Sequence, residues 1–109
     1  MIVADQDNTA RVRQLNDALR TTGTGGSVMV TAGVAALPAA EREAALVAVR
    51  GFTANDPCGE HDCASLQVGD HGIIWKIDYY DLHLAAHSTD PADPSQTRRV
   101  LTIMLSSDY

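Results

Sequence analysis

Apolar side chains recur at helical spacing at Val12, Leu15 and Leu19, which predicts a first helix over about 9–21, capped by Asn8 or Thr9. Arg11, Arg13 and Arg20 fall off that stripe and are expected to face solvent. The run TTGTGG, 21–26, then breaks the helix. β-Branched residues in SVMVTAG, 27–33, predict a strand, and VAALP reads as a connector. Pro38 suits the first turn of a second helix that ends near Arg50, with Ala45, Leu46, Val49 and Phe52 as its apolar face and Gly51 as its stop.

The second half changes period from helical to alternating. Ala64, Leu66 and Val68 alternate with Ser65 and Gln67. The turn GDHG, 69–72, joins this strand to IIWKIDYYD, 73–81, as a hairpin. In the second strand Ile73, Trp75, Ile77 and Tyr79 share one face, and Ile74, Lys76, Asp78 and Tyr80 the other. A loop carrying TDPADPSQ follows, and RRVLTIMLSS closes the chain as a strand with Leu101, Ile103 and Leu105 aligned. No linker or repeat divides the 109 residues, so one domain is expected over 1–109. The order helix, strand, helix, three strands predicts an α+β fold, two helices on one face of a mostly antiparallel sheet of about four strands.

Charge sharpens this picture. The net charge is −6, and it is unevenly spread. Residues 1–52 balance, while 53–94 hold eight acids against Lys76 alone. All four histidines and both cysteines lie in that same segment. The N-terminus has acids where a signal peptide needs bases, and the apolar runs are too short to span a bilayer, so a cytoplasmic protein is expected. In that compartment Cys58 and Cys63 read as thiols, and a disulfide closing so short a loop would stabilise little.

The densest chemistry is NDPCGEHDC, 55–63. Cys58, His61, Cys63 and His71 form a zinc-type donor set, but without paired C-x-x-C spacing. Glu60, His61, Asp62 and Asp78 could hold a hard cation and activate water, which makes a metal-dependent hydrolase the alternative reading. Position 74 is Ile, so Lys76 lacks the acid that a restriction-type nuclease places two residues before its lysine. A Cys–His nucleophile is opposed by the acidic surroundings, which disfavour the thiolate. The glycine-rich 21–26 run lacks the Lys-Ser/Thr ending of a phosphate loop. Clustered bases for nucleic acid are missing.

What remains is an acidic surface for a basic partner. Acids steer a cationic surface, and an aromatic supplies a desolvated anchor. Asp56, Glu60, Asp62, Asp78, Tyr80 and Asp81 are the expected partner-binding residues of a non-catalytic module with no cofactor and no metal. A third reading is self-association through an exposed sheet face or edge strand, as a homodimer.

The motifs NDPCGEHDC, WKIDYYD, DPADP and RRVLTIML, with TAGVAALP upstream, resemble a small bacterial family of unknown function found in alphaproteobacteria and their mobile elements. The resemblance covers about residues 10–109. Gly59, Glu60, His61 and Asp62, with Lys76, Asp78, Tyr79 and Tyr80, match its pattern. It implies an aromatic where Cys58 and Cys63 stand here, and that departure weakens zinc binding and thiol catalysis. Size and charge also resemble small phage and mobile-element inhibitors of the anti-CRISPR kind. By that analogy the partner would be a basic nucleic-acid-binding site, such as that of a CRISPR effector complex.

Overall fold

A computed structural model describes residues 2–52 and 60–109, with side chains described from residue 8 onward. The elements run α1 (Ile2–Thr22), β1 (Gly26–Val30), α2 (Ala32–Ala35), α3 (Ala39–Arg50), β2 (Cys63–Val68), β3 (His71–Tyr80) and β4 (Arg98–Leu105). A short 3-10 turn, Ser106–Asp108, follows β4. The strands form one mixed sheet in the order β1-β4-β3-β2, so the fold is α+β. β2, β3 and β4 pair antiparallel, and β1 joins β4 in parallel.

Alternation sorts β3 as its sequence implies. Ile73, Trp75, Ile77 and Tyr79 are buried, and the residues between them are half-buried. They meet Leu101 and Ile103 of β4, and the layer above is Val12 and Leu19 of α1, Val34 of α2 and Ala45 and Val49 of α3. Among the described residues, α1, α2 and α3 therefore cover one sheet face. Burying each such large apolar side chain contributes ~1.5–3 kcal/mol. Among the described residues, no helix is long and apolar enough to cross a membrane.

Local departures have physical reasons. α1 runs through Asn8 and Thr9, so neither caps it. The strand expected over 27–33 stops at Val30, because the Thr31 hydroxyl accepts from Val34 N–H and starts the short α2 within the expected connector. β1 runs parallel to β4: α2 and α3 return the chain between β1 and β2, so β1 and β2 point the same way, and β2 and β4 both oppose β3.

Arg20 is the clearest correction. It was expected in solvent and is buried. Its Nη1 donates to Val49 O at 2.9 Å and Arg50 O at 3.1 Å, which satisfies carbonyls at the end of α3. Its guanidinium lies 5.3 Å from the Trp75 ring centroid. One arginine thus ties α1, α3 and β3 together.

Candidate functional site

The site begins at the N-terminal end of β2. His61 adopts φ 55°, in the left-handed region that costs a non-glycine residue about 1 kcal/mol or more. Three contacts hold the bend. Glu60 O accepts from Asn16 Nδ2 at 3.0 Å, the His61 ring lies 2.9 Å from Asp17 Oδ1, and Asp62 O accepts from Ile77 N–H at 2.7 Å. The loop is therefore clamped to α1 on one side and β3 on the other.

Beneath it lies a buried polar network. Asn16, fully buried, donates to the Tyr79 hydroxyl at 2.8 Å and accepts from Arg99 Nε at 2.9 Å. The Tyr79 hydroxyl in turn donates to Glu60 Oε1 at 3.0 Å. Arg99 also donates to Pro91 O and stacks over the Tyr79 ring, 5.1 Å from its centroid. Every hydrogen-bonding atom of the Asn16 amide is therefore used. Burial raises the Tyr79 pKa, against the Asn16 hydrogen bond, and the Glu60 charge raises it further. Burial lowers that of Arg99, while Tyr79 and Glu60 favour its charge. This network holds neutral phenol against paired charges; it is a brace between α1, β3 and β4.

Beside the brace the sheet edge opens. Two segments pair with the same edge of β3. Asp62, at the entry to β2, accepts from Ile77 N–H. Further along, Ser88 N–H donates to Tyr79 O, His87 bridges Tyr80, and Asp81 N–H donates to Ala86 O. Between these two segments lies a cleft of about 290 Å³, lined by Asp62, Asp78, Tyr80, Ala86 and His87 over Ile77 and Tyr79. The Tyr79 and His87 rings meet edge to face at 6.0 Å.

Of the expected binding residues, Asp62, Asp78 and Tyr80 line this cleft together. Asp78 is also 3.1 Å from Lys76 Nζ, and that bond is the main reason the lysine pKa is raised. Asp81 follows directly but serves its own loop, accepting from His83 N–H at 3.1 Å and Ala85 N–H at 3.0 Å. Glu60 turns inward to Tyr79. Asp56 and Cys58 lie outside the described residues.

The zinc-type set does not assemble through His71. Cys63 pairs with Lys76 at one end of β2, and His71 pairs with Val68 at the other, where it meets Glu41 at 3.5 Å. The full length of a strand separates them. Among the described residues, no group of three or more His, Cys, Asp or Glu side chains could hold a metal ion.

Sequence inspection missed Asn16 and Arg99. Asn16 sits between Val12 and Leu19 on the helical stripe, so a polar residue in an otherwise apolar seam was the available signal. Arg99 alternates in register with Leu101 and Ile103, which places it on the buried face.

Residues 30–108 match the profile of a protein family described as a protein of unknown function (DUF3768). No curated protein and no solved structure matches the chain.

Proposed function

The chain belongs to the DUF3768 family, and from that premise we propose that it is a non-catalytic protein-binding module whose acidic cleft receives a basic side chain of a partner. The observation that carries this reading is the gap in the β3 edge ladder, where Asp62 and Asp78 stand with Tyr80 and His87 around about 290 Å³. That volume suits one extended cationic side chain. Two carboxylates offer acceptors for a planar guanidinium, and the aromatic rings offer faces on which it can stack.

The charge distribution supports the same reading. The 53–94 segment carries eight acids against one base, which would draw a cationic partner and repel acidic ones. The brace beneath the cleft would keep its walls fixed, so little ordering cost would fall on binding. By this reading the partner is a protein with a basic surface, of the kind that handles nucleic acid, and occupancy would block that surface. An inhibitor carried by a phage or mobile element would act in this way.

Titration with an arginine-rich peptide, followed by backbone NMR, tests the proposal. Shifts should centre on Asp62, Asp78, Tyr80 and His87, weaken with salt, and vanish in the Asp62→Lys/Asp78→Lys variant. Equal shifts in that variant, or with a glutamate-rich peptide, would refute it.

A further inference from the structure

Among the described residues, β1 is the outer strand on the side of the sheet opposite β2, and its edge carries none of the usual protection. All five residues of Gly26–Val30 are exposed, including Val28 at 47 %, Met29 at 56 % and Val30 at 38 %. Edge strands of monomeric proteins are commonly guarded by charge, proline or a bulge. Here residues 21–40 contain no charged side chain, and the nearest proline, Pro38, lies well beyond the strand.

The backbone direction of this edge can be read off. Thr31 N–H donates to Ile103 O on β4. Backbone groups alternate along a strand, so Met29 and Ser27 also turn theirs towards β4. Gly26, Val28 and Val30 turn theirs outward.

We propose that β1 is a homodimer interface, in which two copies pair their β1 strands antiparallel about a two-fold axis at Val28. The strand is complementary to itself in that register. Val28 opposes Val28 of the second copy, Ser27 opposes Met29, and Gly26 opposes Val30, so each large side chain meets a small one or its equal. The outward-turned residues become the hydrogen-bonded pairs, each exchanging both backbone bonds. The two sheets join into one with the helices of both copies on the same face.

Neighbouring surface agrees with this occupant. On the helix face beside β1 lies a groove of about 340 Å³, lined by apolar Leu19, Val28, Leu46 and Leu101 together with the cationic Arg20 and Arg50. In the paired register the two Val28 side chains stand on that face, and the two grooves become continuous across the axis. Charge permits the contact as well. Each copy carries a net −6, yet the facing strands are neutral, while Asp62, Asp70 and Asp78 belong to the β2–β3 side of each sheet. A different protein adding a strand to this edge is the competing occupant.

Sedimentation of the full chain over a micromolar to submillimolar series tests the dimer. The mass should rise from 11.6 kDa towards twice that value. Hydrogen exchange should slow at Val28 and Val30 amides by at least about tenfold between the dilute and concentrated samples. Val28→Lys sets two cations side by side at the axis, and Val28→Pro removes only an outward-facing N–H, which an edge strand tolerates. Both variants should stay monomeric with an unchanged circular dichroism spectrum. A wild-type chain that remains at 11.6 kDa with rapidly exchanging Val28 and Val30 amides overturns the proposal. So does a dimer that persists in both variants. If either variant fails to fold, the wild-type exchange result decides the matter.

Discussion

Asn16 on α1 donates its side-chain amide to the Tyr79 hydroxyl on β3 at 2.8 Å, although 63 positions separate them in the chain. The same amide accepts from Arg99. Substitution Asn16→Leu would fill similar space while leaving Arg99 Nε and the phenol short of a partner. Unfolding by denaturant should show a loss of ~2–4 kcal/mol. A double-mutant cycle with Tyr79→Phe should give a coupling of about 1 kcal/mol, and additive losses would contradict the geometry.

Tyr79 also makes stability depend on alkaline pH. Burial raises its pKa above the ordinary 10.0, the Asn16 hydrogen bond opposes this, and Glu60 raises it further. A group whose folded pKa is raised contributes fully below its unfolded pKa and loses that contribution as pH rises through the folded value. Stability should therefore decline above about pH 10, alongside a late phenolate absorbance step. That step should be missing from Tyr79→Phe.

Asp81 predicts a smaller effect at the acid end. The Ala85 N–H bond, followed by that of His83, holds its pKa below the ordinary 3.8. Its depressed value means that loop order is kept above pH 3.8 and lost as pH falls through the folded pKa. Exchange at the Ala85 amide should accelerate there, and Asp81→Ala should show that faster rate at neutral pH.

Arg20→Lys should not behave as a conservative change. The guanidinium reaches Val49 O and Arg50 O together while lying over Trp75. A lysine presents a single point charge on a flexible stem, so a loss of ~1–3 kcal/mol is expected in thermal or chemical unfolding. An unchanged midpoint would place the end of α3 under other control.

Gly26→Ala should loosen β1. An added Cβ would lie 2.5 Å from Arg99 O, a backbone atom in the adjoining strand. Relief requires β1 to shift away from β4, at a cost of ~1–3 kcal/mol. The Thr31 amide, bonded to Ile103 O, should then exchange faster, and normal protection would show that the sheet can absorb the methyl group.

Short-range features of the fold were legible in the residues. The alternation Ile73, Trp75, Ile77, Tyr79 identified the buried face of β3, because a strand sends successive side chains to opposite sides. Pro38 and Gly51 bracketed α3, since one lacks the N–H that a helix start leaves unused and the other ends the helix readily. The hairpin of β2 and β3 followed from the turn at Gly69, whose φ of 57° suits glycine.

The candidate site was legible only in part. Asp62, Asp78 and Tyr80 were singled out by charge and motif, and they line one cleft. Glu60 was included for its charge, but its carboxylate faces the Tyr79 hydroxyl. Carboxylates look alike in a sequence. Whether one meets water or a buried donor depends on which strand edge lies opposite.

By itself, then, the sequence determined the alternating and helical faces, the hairpin, and the concentration of acid in the middle segment, all of which arise from neighbours a few positions apart. Tertiary structure decided the parallel entry of β1, the burial of Arg20, Asn16 and Arg99, and the cleft where Asp62 and His87 leave the β3 edge uncovered. Those features depend on side chains brought together from distant positions, where a buried donor must find an acceptor wherever the packed chain supplies one.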